Sequence, residues 1–118
     1  MTASNVVVPG PRRLVGLTPA DTNEATMLTA GADGTVVVEL WITNLTGTAA
    51  NATVKWGDGS TDFAVIDTYS VAARMFLHEP VLLPLRKDWT IKVTSGTNSA
   101  LAFTIVVVEY PGGLGGKV

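Results

Sequence analysis

The stretch GTVVVELWITN, Gly34–Asn44, decides the fold class because its residues alternate in polarity with a period of two. One side of an extended chain carries only apolar residues, namely Val36, Val38, Leu40 and Ile42. The other side carries mainly polar residues together with Trp41. Such alternation is typical of a half-buried β-strand, so the first set is predicted to face a core.

Similar segments recur along the chain, and clusters of Gly, Asn, Asp or Pro separate them. Helical spacing of apolar residues does not compete. Pro80 and Pro84 bracket a segment that cannot be a central strand, since proline lacks the N–H that a ladder needs. The chain is therefore predicted to be all-β: a single antiparallel β-sandwich, jelly-roll-like or Ig-like, of about seven or eight strands, with extended N- and C-terminal arms.

Three parts are predicted along the 118 residues. Residues 1–19 form an N-terminal arm that Pro9, Pro11 and Pro19 interrupt. Residues 20–110 form the sandwich domain. Residues 111–118, PGGLGGKV, form a flexible Gly-rich tail, because glycine loses much backbone entropy when it is ordered.

Composition narrows the function classes. The net charge is −2 and the eight basic residues are dispersed, which argues against nucleic acid as a partner. No signal peptide or membrane-spanning run is evident, so no membrane contact is expected. Cysteine is absent, which excludes disulfides and thiolate chemistry. Only 15% of the residues are charged, against about 25% in typical domains, which favours a surface that partners or copies of the chain cover.

Residues with catalytic or metal-binding potential are few. His78 is the single histidine, and no metal-ligand spacing surrounds it. Asp58 lies in a GDGS turn and Asp62 follows this turn, but the further oxygen ligands that calcium needs are missing. No phosphate-binding glycine motif is present. The sequence therefore predicts a protein that is not an enzyme, with no catalytic residues, no metal site and no cofactor.

Apolar residues that lie outside the predicted core are candidates for an interface. Trp41 points away from the predicted core, where either a partner or another part of the chain covers it. The last strand is apolar on both sides, and the N-terminal arm combines valines with two arginines. The candidate interface comprises Val6, Val7, Val8, Arg12, Arg13, Leu14, Trp41, Val106 and Val108.

The order of segments resembles small β-sandwich virion proteins of tailed bacteriophages, of the capsid decoration (cement) or tail-associated type. The segments are VVVELWITN, a small-residue loop LTGTAAN, ATVKWGDG, an extended VAARMFLHEPVLLPLRKDW, TIKVTSG and a final apolar strand that reaches Glu109. In such proteins a glycine-aspartate-hydrophobic turn precedes the penultimate strand. Lys87, Asp88 and Trp89 occupy that place here, so the glycine is replaced.

The resemblance implies a virion component that is assembled in the host cytoplasm and self-associates, with a trimer favoured. Its N-terminal arm and one sandwich face are expected to bind the major capsid protein or another virion protein. Two alternatives stay open. One is a tail, neck or fibre-anchoring protein, and the other is an Ig-like carbohydrate-binding module with Trp41 as the sugar platform.

Overall fold

The computed structural model describes residues 10–110, and these residues form strands and loops without a helix. The strands are β1 (Arg12–Leu17), β2 (Ala25–Thr29), β3 (Gly34–Asn44), β4 (Ala50–Gly57), β5 (Asp62–Val71), β6 (Phe76–Leu85), β7 (Thr90–Ser95) and β8 (Leu101–Tyr110).

Two four-stranded sheets stack on each other, and every strand pairing is antiparallel. The first sheet has the order β1-β8-β3-β6, and the second has the order β2-β7-β4-β5. The central hairpin β4–β5 lies in the second sheet, and the pairs β3–β6, β2–β7 and β1–β8 then alternate between sheets. This is the topology of a rolled-up hairpin, the jelly roll. The predicted antiparallel sandwich is confirmed, in its jelly-roll form.

The core lies between the sheets and is built from alternate residues of the strands. In β8 the inward residues are Leu101, Phe103, Ile105 and Val107, each at most 1% exposed. Ile91 and Val93 of β7 face them from the second sheet and are equally buried. Burial of a large apolar side chain contributes about 1.5–3 kcal/mol, so this interface between sheets supplies the main stabilisation of the fold.

A β-bulge in β3 changes which of its valines face the core. Both pairings of β3 shift register between Val37 and Glu39. One extra residue reverses the alternation, so Val37 is in the core at 1% exposure while Val36 lies on the outer face. The prediction that Val36 and Val38 face the core is therefore wrong, whereas that for Leu40 and Ile42 is confirmed.

Arg12–Leu17 differs from the arm that the sequence predicts for residues 1–19. All six of these residues pair with β8, which makes β1 an edge strand of the first sheet. The prolines of this region flank β1 and do not interrupt it, so its backbone N–H groups stay available. Residues 1–9, including Val6, Val7 and Val8, and the tail at 111–118 lie outside the described residues.

Candidate interaction surface

The outer surface of the first sheet carries a continuous set of apolar side chains, here called the apolar face. Three of its members are strongly exposed: Leu14 at 71%, Phe76 at 59% and Leu82 at 76%. The antiparallel registers bring residues of all four strands to this side of the sheet. The apolar face consists of Leu14, Val36, Trp41, Phe76, Leu82, Val106 and Val108.

A charged group lies among these apolar residues. The Glu39 carboxylate accepts a hydrogen bond from the His78 ring, with Oε1 2.8 Å from Nε2, and its Oε2 lies 3.6 Å from Arg12 Nη1. The His78 ring stacks on Trp41, with ring centroids 3.9 Å apart and planes inclined by 13°. Phe76 lies on the same indole at 5.5 Å between centroids. Trp41 and His78 are thus fixed in place by their neighbours.

The outer surface of the second sheet has a different character. On β2, β4 and β7 the outward side chains are mainly threonines and lysines, and the exposed apolar side chains of this sheet, Phe63, Val65 and Tyr69, all lie on the edge strand β5. Lys55 pairs with Glu24, and Lys92 pairs with Asp62, each with an N–O distance of 3.2 Å. Charged and hydroxyl side chains suit contact with water. The two outer surfaces of the sandwich are therefore unequal, because apolar side chains are spread over all four strands of the first sheet, whereas in the second sheet the exposed ones are confined to β5.

Five of the predicted interface residues lie together on the outer side of the first sheet. Arg12, Leu14, Trp41, Val106 and Val108 converge there from β1, β3 and β8, although they are far apart in sequence.

Arg13 lies elsewhere, since its guanidinium pairs with Glu109 at 3.6 Å. The sequence reasoning missed Phe76 and Leu82. The alternation of apolar residues along β6 could have identified both. This alternation continues through Pro80 and Pro84, which the strand tolerates because it lies at the edge of its sheet.

A cleft of about 390 Å³ opens between β5 and β6, where the two sheets are not joined. Its apolar lining includes Leu40 of β3, Leu77 and Val81 of β6, and Val65 of β5. Asp67 and Glu79 add two carboxylates. This cleft was not predictable from local sequence patterns, because it depends on which strands form the open side of the sandwich.

A smaller apolar pocket of about 90 Å³ lies at one end of the sandwich between Trp56, Phe63 and Trp89. The indole N–H of Trp56 donates to the Pro84 carbonyl at 2.9 Å and so links the two sheets. This pocket is too small for more than one aliphatic side chain.

The GDGS turn beside this pocket is a self-contained loop. The Asp58 carboxylate accepts hydrogen bonds from the backbone N–H groups of Thr61 and Ser60, both at 2.8 Å, and these bonds lower its pKa. Gly59 supplies the positive φ that the turn requires. The carboxylate is thus occupied by the turn.

Residues 10–110 bring no three His, Cys, Asp or Glu side chains together in an arrangement that could hold a metal ion. Within the same range, no helix has the length and apolar character needed to cross a membrane.

Comparison with known proteins places the fold in context. No protein-family model matches the sequence, and no curated protein matches it. A chain of the capsid of Helicobacter pylori bacteriophage KHP30 superposes with a TM-score of 0.59 at 10% identity, over 88% of this chain and 91% of that chain. A chain of Bacillus endospore appendages, described as disulfide-linked pili, superposes with a TM-score of 0.57 at 17% identity, over 93% and 95%. The shared feature is the fold.

Proposed function

We propose that this chain is a structural protein of a bacteriophage virion that decorates and stabilises the capsid shell. In this proposal the apolar face binds the major capsid protein, and the polar outer surface of the second sheet faces solvent. The observation that carries it is the inequality of the two outer surfaces. A contiguous apolar surface on a small domain marks an interaction site.

The composition of the apolar face suits a protein partner. Large aromatic side chains contribute much of the binding energy of protein interfaces, and Trp41 and Phe76 lie together with ring centroids 5.5 Å apart. The ion pair of Glu39 with Arg12 and the hydrogen bond between Glu39 and His78 hold the polar groups of this surface in place. A partner therefore meets apolar atoms without having to neutralise an isolated charge.

The fold supports a role in assembly. The KHP30 capsid contains a chain of the same fold, and virion assembly would place this protein in the host cytoplasm and then in the virion. The Bacillus appendages are disulfide-linked, but the present chain has no cysteine. Disulfides between copies are therefore excluded, and non-covalent contacts of many copies on a shell strengthen one another through avidity.

A tail, neck or fibre-anchoring protein would use the same apolar face, and the number of copies per particle separates it from a decoration protein. A sugar platform at Trp41 is disfavoured because His78 already stacks on the indole.

The first test is co-sedimentation with capsids that lack this protein. Leu14→Asp places a carboxylate on the apolar face at a position that is 71% exposed, so folding is preserved. We expect it to weaken capsid binding about tenfold or more, as a loss of 1.4 kcal/mol or more requires.

The matched control is Thr26→Asp, an equally charged change at an exposed position on the outer side of the second sheet. It should bind capsids like the wild type. Unchanged binding of Leu14→Asp, or equal weakening by both substitutions, would contradict the proposal.

A further inference from the structure

The cleft between β5 and β6 is an unfilled part of the sandwich. Both strands are edges of their sheets, and they do not pair with each other. Leu40, Leu77 and Val81 make the interior of the cleft apolar, and its volume of about 390 Å³ lies within the range of about 300–1,000 Å³ that binding pockets occupy. The cleft has the size and chemistry to take a short apolar segment.

The two strands that border the cleft differ in how well they are protected from pairing with a strand of another chain. In β6 the prolines at 80 and 84 remove two N–H groups, a common protection of edge strands. In β5 ten residues run without a proline, a lysine or an arginine, and Val65 and Tyr69 are exposed beside the cleft. Two irregularities opposite Val54 bend β5, so an occupant would bind through side chains more than through a regular ladder.

We infer that the cleft of one copy takes the N-terminal segment, residues 1–9, of a second copy. That segment contains three consecutive valines, Val6, Val7 and Val8, whose apolar side chains match the cleft interior. It contains no acidic residue that the carboxylates of Asp67 and Glu79 would repel. The segment at 111–118 is a poorer match, with four glycines among eight residues.

The donor and the acceptor positions lie on opposite sides of the molecule. Residues 1–9 precede Gly10, whose N–H donates to the Glu109 carbonyl beside β1. The cleft is at the other edge, three strand spacings or about 14 Å away across the first sheet. A copy can therefore donate on one side and accept on the other, which is a head-to-tail contact between copies.

Head-to-tail contacts close into rings when the rotation between copies permits it. The exchange of residues 1–9 therefore provides a physical basis for the trimer that the sequence analysis favours. It joins copies of the chain and leaves the apolar face free, so it holds or fails separately from the proposed binding to the capsid.

The test uses engineered cysteines, because the natural chain has none. Full-length chains carrying Val7→Cys and Val65→Cys are made with tags of different size, refolded together and oxidised. We expect a covalent dimer of the two variants, about tenfold above the control mixture, since docking raises the local concentration of the two thiols.

In the control mixture Val65→Cys is replaced by Thr26→Cys, at an exposed position on the outer side of the second sheet. Equal cross-linking in both mixtures, or none in either, would overturn the inference. The double variant Val7→Cys/Val65→Cys shows whether the segment that fills a cleft comes from the same chain or from another copy. Covalent species of two or more chains support exchange between copies, and a cross-linked single chain would show that the segment fills its own cleft.

Discussion

Asn44 shows how one buried polar residue organises a loop. Its side chain is 2% exposed, and its Nδ2 donates to the carbonyls of Thr48 and Val71 at 2.9 and 3.0 Å. Its Oδ1 accepts from the backbone N–H and the hydroxyl of Thr46. All its hydrogen-bonding groups are thus used. Asn44 ties the loop after β3 to the end of β5 and so joins the two sheets.

Replacing Asn44 by alanine should therefore destabilise the protein markedly. The change leaves the carbonyls of Thr48 and Val71 and the N–H of Thr46 without these partners, at an expected cost of about 2–3 kcal/mol in the free energy of unfolding. Urea denaturation monitored by tryptophan fluorescence measures it. Asn51→Ala, at an exposed position of β4, serves as the control and should change the free energy by less than about 0.5 kcal/mol. Similar losses in both variants would contradict this role.

At the scale of the element, the bulge in β3 determines what each face of the first sheet presents. Before the bulge Val37 faces the core, and after it Leu40 and Ile42 do. Without the extra residue, Trp41 and Val36 could not lie on the same outer side. The bulge therefore extends the apolar face along the whole of β3.

Matched threonine substitutions test this assignment. Val37→Thr buries a hydroxyl in the core and should cost about 1–3 kcal/mol in the free energy of unfolding. Val38→Thr, at the half-buried bulge position, should cost about 0.5 kcal/mol or less. Denaturant titration of both variants compares them. A larger loss for Val38→Thr than for Val37→Thr would show that the simple alternation, without a bulge, is correct.

These elements also show what the sequence can and cannot predict. Alternation identified Leu40 and Ile42 of β3 as core residues because β3 is regular there and lies between two other strands. It failed at Val36 and Val38 because a bulge leaves no mark in a run of three valines. The predicted domain began at residue 20 and left out β1, because prolines lie on both sides of β1. This strand is held in place by pairing with a single strand, β8.

The candidate site was predictable only in part, for the same reason. Trp41, Val106 and Leu14 were recognised singly as apolar residues without a place in the core. These residues meet on one surface because of the strand order β1-β8-β3-β6. In this order β1 and β8, the first and last strands along the chain, are neighbours. Such pairing between distant segments is not contained in local sequence patterns, and neither is the cleft beside β5.

At the scale of the whole molecule, three surfaces are available for separate contacts. The apolar face is suited to the shell, the polar outer surface of the second sheet is suited to water, and the cleft beside β5 is suited to a neighbouring copy. The proposed decoration role would use this division, because such a protein must hold its partner and its neighbours at once.

Hydroxyl-radical footprinting of the capsid-bound protein against the free protein tests the central claim most directly. Binding through the apolar face predicts strong protection of Trp41, Phe76 and Leu82 in the bound state, while side chains on the outer surface of the second sheet, such as Lys55, keep their reactivity. Protection confined to the second sheet, with Phe76 and Leu82 labelled as in the free protein, would contradict the claim.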